Sequence, residues 1–336
     1  MTIKDIARLA GVSVSTVSRV LNNHPDVSHE AYDKVMSIVE EYNYIPNTSA
    51  RELGKTTSNN IGVIVRGLSN HFFTKIIYEI NERVERLGYT MVMQQIPSSD
   101  DEIMAGALMA REKKLQGLIF LGGNLDYTPQ QVGCLGVPFV CCTFNNKYGT
   151  LEKSEYSSVT IDDNQAAYDA VEKLYNEGHR KIAVVLKSTD DKSVSQVRYE
   201  GYLRALNDFG IKLDEDLVIS VGDFDIAEAY EGVKKWLKKE HDFTAMFCIA
   251  DSMAMAAMRA LREKGKSVPD DISVVAIDGI ELTEYLNPQL STLCQPMQRM
   301  GRESVDILVD IIEDKGHHKQ LELATEFRVG ATIKSI

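Results

Sequence analysis

Thr2-Ile3-Lys4-Asp5-Ile6-Ala7-Arg8-Leu9-Ala10-Gly11-Val12-Ser13-Val14-Ser15-Thr16-Val17-Ser18-Arg19-Val20-Leu21-Asn22 reads as two short amphipathic helices about a tight turn. Ile3, Ile6, Ala7 and Ala10 share one face of the first helix, and Val17, Val20 and Leu21 one face of the second, so the two faces can pack on each other. Gly11 gives the turn its backbone freedom, Val12 plugs it, and Ser13 stands where a helix N-cap belongs. Ser15, Ser18, Arg19 and Asn22 are left as a polar stripe on the second helix. Hydroxyls and an amide suit phosphates, and an arginine can take guanine O6 and N7 together, so this stripe suits a helix in the major groove of DNA. Val14, at the helix start, is placed to touch a thymine methyl. An ordinary surface hairpin of helices uses the same residue types, but a third segment argues against it. Ser28 caps a run in which Ala31, Val35, Ile38, Val39 and Tyr42 keep the helical period until Pro46 stops it, which makes a small all-α bundle.

The 336 residues exceed one small domain and suit a small head with a large core. No apolar run approaches the ~20 residues of a membrane span, and the first residues lack the basic and apolar regions of a secretion signal, so the protein is expected in the cytoplasm. Cys134, Cys141, Cys142, Cys248 and Cys294 lie in apolar stretches and not at metal-ligand spacings, as buried thiols of a reducing compartment do. His317 and His318 fall in a Lys/Gly/His turn without an acidic or thiol neighbour, a solvated loop and not a metal site. No metal or other cofactor is expected. Nor is an enzyme: there is no nucleophile–base set, and Gly122-Gly123 is too short for a phosphate loop.

The net charge of −12 is an average over an acidic core, while residues 1–25 hold three cations and one acid. So few phosphate charges met per head require two heads for tight binding, and such binding weakens steeply with salt. The absence of a heptad tail after the strand-like stretch Glu326 to Ile333 points to a dimer and no larger assembly.

After Pro46 comes a Ser/Thr/Asn-rich linker, with an N-cap candidate at Asn47 and a stop at Gly54; so short a helix forms only against a partner. From residue 60, strand-like runs (Ile61 to Val65, Tyr89 to Ile96, Gly117 to Leu121, Phe139 to Phe144, Val159 to Asp162, Lys181 to Leu186, Leu217 to Val221, Ala245 to Ile249 and Ile272 to Ile277) alternate with helical ones. That pattern means parallel sheets covered by helices, and the length holds two. Ligands of open parallel sheets bind beyond the carboxyl ends of strands, which nominates Asn70, Phe72 and Phe73, Phe224 and Asp278. Aromatic faces with a few fixed polar groups hold sugars or planar bases.

The opening helices, Tyr44-Ile45-Pro46-Asn47, Ala50-Arg51-Glu52-Leu53, Gly178-His179-Arg180-Lys181-Ile182-Ala183, Arg198-Tyr199-Glu200-Gly201-Tyr202, Ala250-Asp251-Ser252-Met253-Ala254, Val268-Pro269-Asp270-Asp271-Ile272-Ser273 and Asp278 before Pro288-Gln289-Leu290-Ser291-Thr292 together resemble the LacI/GalR family of bacterial transcription regulators. The resemblance spans essentially the whole chain. It implies a helix-turn-helix head over residues 1–46, a hinge over 47–59, and a periplasmic-binding-protein-like core of type I, with two doubly wound parallel-sheet subdomains: 60–161 with 292–322, and 162–291 with 323–336. Chain crossovers are expected near Asp162, near Leu290 to Leu293 and near Leu321 to Ala324. Val14, Ser15 and Arg19 match base-facing positions of the family, with Ser13, Thr16, Ser18, Asn22 and Ser28 on phosphates. Asn47, Ala50 and Leu53 fall in the family's hinge helix, whose leucine enters the minor groove at the centre of a palindromic operator. Arg198 and Asp278 match two effector contacts, each with an alternative as a structural ion pair or a surface charge. Asp162, Asp163 and Asn164 are weaker cleft candidates. Ala250 stands where some sugar-responsive relatives carry Asn, and Asp251 reads as a helix N-cap.

These residues together imply a dimeric, operator-specific repressor controlled by a small metabolite, a sugar or sugar derivative, with double-stranded DNA and a second copy as its other partners. One alternative keeps the DNA binding and makes the effector a protein corepressor, as in global carbon-catabolite regulators. A solute-binding protein or an enzyme on the same core is a third. The missing signal peptide and the missing catalytic set weigh against it.

Overall fold

Thr2 starts α1 (Ile3–Ala10) with a reciprocal capping box: its hydroxyl accepts the Asp5 N–H while the Asp5 carboxylate accepts the Thr2 N–H at 2.9 Å. Gly11 ends the helix at φ 65°, a left-handed conformation that a side chain disfavours. Ser13 then caps α2 (Val14–Leu21), its Oγ accepting the Thr16 N–H at 3.1 Å. Ser28 caps α3 (His29–Glu41) in the same way. Ile6, Ala7, Val17, Val20 and Val35 are buried together, with Ile3, Val12, Leu21 and Val39 around them, whereas Tyr42 is exposed beyond the end of α3. The computed structural model describes residues 1–21, 24–44, 58–67 and 71–336. It divides into two units, Met1–Ser58 and Asn59–Ile336. Asn22, Asn47, Ala50, Leu53 and Asn70 lie outside the described residues.

The second unit is built from two six-stranded sheets. The first lobe runs β1 (Asn60–Arg66), α4 (Phe72–Arg86), β2 (Thr90–Ile96), α5 (Glu102–Lys113), β3 (Gly117–Leu121), a short α6 (Pro129–Val132), β4 (Phe139–Cys142) and β5 (Ser157–Thr160). The chain then enters the second lobe: α7 (Asp163–Asn176), β6 (Ile182–Leu186), α8 (Val194–Asp208), β7 (Val218–Ser220), α9 (Ile226–Trp236), β8 (Ala245–Cys248), α10 (Asp251–Glu263), β9 (Ser273–Asp278) and β10 (Ser291–Cys294). It returns to the first lobe with α11 (Met297–Ile312) and β11 (Gln320–Glu322), and ends its strands in the second with β12 (Glu326–Arg328). The strand orders are β2-β1-β3-β4-β5-β11 and β7-β6-β8-β9-β10-β12, parallel throughout except where β12 runs against β10. β3, β4, β6 and β8 are apolar along their length, and β1 and β9 between their polar end residues, because helices cover both faces, as parallel strands require.

The change of subdomain expected at 291/292 falls inside β10, whose Ser291 to Cys294 pair in parallel with Val275 to Asp278 of β9. The chain leaves the second sheet only after Cys294. The strand orders put a topological switch point between β1 and β3 in one lobe and between β6 and β8 in the other. Residues beyond the carboxyl ends of these strands face the crevice where such folds bind ligands.

Candidate functional site

In the head, the packed side of α2 leaves Val14, Ser15 and Arg19 on the exposed side, with Ser13 beside them and Thr16 and Ser18 half-buried at the margin. The hydroxyls are not loose. Ser13 Oγ lies 2.7 Å from Ser15 Oγ and 2.8 Å from Thr16 Oγ1, so the first turn of α2 carries a hydrogen-bonded hydroxyl cluster around its cap. Arg19 is held as well, its Nη1 lying 3.1 Å from Asp26 Oδ2. Ser28 is exposed at the start of α3, where the positive end of that helix favours an anion.

In the core unit, a cleft of about 680 Å3, open solvent at its mouth included, lies between the lobes. Phe72 and Phe73 from the start of α4 contribute two rings with centroids 5.6 Å apart. Gly122 lets β3 end beside them, since a Cβ there would come within 3.1 Å of the Phe73 ring. Phe224 enters from the second lobe, with Arg198 and Asp278 behind it. Arg198 is buried and multiply bound: its Nε donates to Asp163 Oδ1 at 2.8 Å, and its Nη1 lies 3.3 Å from Asp278 Oδ1 and donates to the Ile249 carbonyl. Asp278 reaches this position because it ends β9 at φ 131°, a left-handed backbone that turns the chain sharply. Gln295 Nε2 donates to the same carboxylate at 2.8 Å. Burial raises Asp278 and Asp163 above the ordinary carboxylate range, against the pull of Arg198 on both.

Of the residues nominated from sequence, Phe72, Phe73, Arg198, Phe224 and Asp278 thus meet at one cleft. Asn164 does not line it. Its amide Nδ2 donates to the Val197 carbonyl at 3.4 Å, and its backbone oxygen would meet a Cβ on Gly201, so its place is the close packing of α7 on α8. Asp162 is the N-cap of α7 and Asp163 the ion partner of Arg198. Asp251 is not an N-cap: Ala250 holds that position, and the Asp251 carboxylate instead accepts the Ile280 N–H at 2.8 Å and the Thr292 hydroxyl. Arg66, Ser98, Thr143, Lys187, Ser193 and Asp223 also line the cleft and were not nominated. For Arg66 and Lys187 a signal was present, because Arg66 ends β1 and Lys187 directly follows β6. Ser98 and Asp223 bond each other across the cleft at 2.6 Å, a pairing 125 residues apart with no local mark.

Cys141, Cys142 and Cys248 are buried and burial raises their thiols above the ordinary range, which keeps them protonated; Cys134 and Cys294 are half-buried. His318 Nδ1 lies 3.1 Å from Ser157 Oγ. Among the described residues no group of three or more His, Cys, Asp or Glu is placed to hold a metal ion, and no helix is long and apolar enough to cross a membrane.

Residues 2–47 match the bacterial regulatory proteins of the lacI family, and residues 171–333 match the periplasmic binding protein-like domain. The HTH-type transcriptional regulator MalR of Clostridium butyricum is 43% identical over 332 residues, which cover 97% of each chain. The crystal structure of the Lac repressor dimer bound to operator and the anti-inducer ONPF aligns over 100% of this chain and 99% of that one, at 28% identity and a TM-score of 0.78. The transcriptional regulator CelR in complex with cellobiose aligns over 99% of each chain at 28% identity and a TM-score of 0.72. With its helix-turn-helix, its paired doubly wound lobes and a likeness that runs the length of the chain, the protein belongs to the lacI family of bacterial regulatory proteins.

Proposed function

We propose that the protein is a transcription repressor that grips a palindromic operator as a homodimer and changes its affinity when a small uncharged polyol, a sugar or sugar derivative, fills the cleft. Val14, Ser15 and Arg19 read bases, while Ser13, Thr16, Ser18, Asn22 and Ser28 fix the docking on phosphates. Residues 47–59 act as the hinge, with Leu53 as the minor-groove wedge and Asn47 and Ala50 beside it. Asn70 joins Phe72 and Phe73 on the first-lobe side of the effector. No catalytic role is assigned to any residue.

One observation carries the choice of effector: each cation lining the cleft already faces a carboxylate. Arg66 Nε lies 3.5 Å from Glu102, Lys187 lies 3.2 Å from Asp191, and Arg198 is shared by Asp163 and Asp278. A phosphate brought into this cleft would meet those carboxylates and find no unmatched cation, whereas hydroxyls can donate to the acids and accept from the bases together. The three phenylalanine rings supply the apolar faces against which a sugar ring packs. The cellobiose bound by CelR, a relative over the whole chain, supports the same class.

A thermal-shift screen of the full chain against neutral mono- and disaccharides, their phosphates and nucleobases tests this, since a cleft ligand stabilises the folded state it binds. A neutral sugar is expected to raise the melting temperature and to change affinity for a duplex selected from a random library. Stabilisation by sugar phosphates or nucleobases alone overturns the choice of polyol, and silence across the panel transfers control to a protein corepressor.

A further inference from the structure

We propose that Asp26 is a specificity-positioning residue of the reading head: it holds the Arg19 guanidinium in one orientation, so that the arginine's other N–H edge meets a single base pair. The inference rests on the reading of α2 as the base-contacting helix. Three contacts carry it. Asp26 Oδ2 lies 3.1 Å from Arg19 Nη1. The other carboxylate oxygen, Oδ1, lies 2.6 Å from His24 Nδ1, so the carboxylate is gripped on both sides. The His24 N–H in turn donates to the Arg19 carbonyl at 3.0 Å. The loop that supplies the carboxylate is therefore fastened to the residue whose side chain it holds, and Pro25, between the two loop residues, narrows the backbone further.

Both partners of the ion pair are exposed, at 58% and 47% of their side chains, so as a contribution to folding it counts for little. Its consequence is orientation. An unheld arginine loses its rotamer freedom when it meets a base, and it can satisfy a phosphate as readily as a guanine; one with its fork partly engaged presents a fixed edge. A carboxylate beside DNA also repels phosphate, and the two effects part on its removal. Repulsion alone raises affinity equally for every duplex when the charge goes. Positioning removes preference at one base pair, the one Arg19 reads.

The test uses the full-length protein and four forms of it: wild type, Arg19→Ala, Asp26→Asn and Asp26→Glu. A palindromic duplex is selected by the wild type from a library randomised at every half-site position, and affinities of all four forms are measured for it and its symmetric single-base variants. Arg19→Ala is expected to level the preference at one base pair. Asp26→Asn is expected to cut the preference at that same pair by about fivefold or more, leaving the others intact, and Asp26→Glu to recover part of it. The proposal is overturned by an undiminished preference at that pair in Asp26→Asn, by a loss spread evenly over the half-site, or by no recovery with Asp26→Glu. If Arg19→Ala keeps every base preference, the reading of α2 itself fails, whatever Asp26 does. Circular dichroism melts of each form separate loss of the head's fold from loss of positioning.

Discussion

Asp251 has no exposed surface and lies near Asp278 in the second lobe; Arg198 pairs with Asp278, while the cation that bears on Asp251 is Arg328. Burial, reinforced by the Asp278 charge, pushes Asp251 up to about 8. A free aspartate titrates near ~4. Between these values the folded chain keeps a proton that the unfolded chain has lost, so the stabilisation is present in acid and lost as pH rises through the raised value. Asp251→Asn mimics the protonated form, its amide accepting from Ile280 N–H and donating to Thr292 Oγ1. Denaturant melts of both proteins across this window are expected to show wild-type stability falling relative to the variant, by on the order of 1 kcal/mol per pH unit. Parallel pH profiles would falsify the assignment. Position along the chain does not mark this residue: as the first residue of a helix after Ala250 it has the sequence profile of a cap, and only the fold brings Ile280 and Thr292 to it. Asp278 and the phenylalanines were legible because residues after parallel strands face the ligand crevice, whereas Arg198, inside α8, was legible only through the resemblance of Arg198-Tyr199-Glu200-Gly201-Tyr202 to the family. Ser98 and Asp223 were not, because their pairing belongs to the meeting of two lobes.

At the scale of elements, apolar runs of parallel strands announce themselves, and nine such runs chosen from sequence each overlap an observed strand. The short strands β10 and β11 do not, whereas β12 falls within the strand-like stretch Glu326 to Ile333. β11 is only half-buried at two of its three residues and exposed at the third, so it lacks the apolar signature by which a strand is found. β10 follows a 3-10 turn, Glu281–Tyr285, and carries Thr292 and Cys294 where a covered strand more often has aliphatic residues, which hid the place where the chain changes lobes. The element that decides DNA binding in the proposed mechanism, the hinge around Leu53, lies outside the described residues and rests on the Ala50-Arg51-Glu52-Leu53 placement. A segment this short does not hold a helix alone, so in the proposed mechanism it would draw its stability from the DNA, and truncating its one large apolar side chain would remove much of that gain. Leu53→Ala is expected to weaken affinity for the selected operator by tenfold or more, on the order of 2 kcal/mol, while calorimetry finds effector binding unaltered. An operator affinity that survives the change removes Leu53 from the wedge.

The core unit as a whole is a pair of lobes stitched along one side of their cleft. Lys147 of the first lobe lies 2.6 Å from Glu200 of α8, and the Tyr148 hydroxyl donates to the same carboxylate at 2.7 Å. Nearby, the Leu125 N–H donates to the Lys192 carbonyl at 3.0 Å and Lys192 Nζ lies 3.2 Å from Asp126. Val197 of α8 is buried in the apolar cluster of the first lobe, with Val194 against it. These contacts favour the arrangement in which Phe72, Phe73 and Phe224 face one another across the ligand space. A ligand that needs both walls binds this closed form, and its apparent affinity is scaled by the fraction of molecules already closed. Glu200 is the place to change that fraction without touching the ligand, since it is not among the residues that line the cleft. Glu200→Ala removes both acceptor positions. With about a third of each side chain in solvent, the Lys147 pair is screened, and the combined loss is set at on the order of 1 kcal/mol. Calorimetric titration with the sugar found in the screen is therefore expected to give an affinity about fivefold weaker, with a dissociation rate raised by a similar factor and a melting temperature without ligand close to that of wild type. Unchanged affinity and off-rate in Glu200→Ala would show that Glu200 does not control closure, and that the Lys192 contacts with Leu125 and Asp126 and the apolar seam of Val194 and Val197 hold the lobes without it.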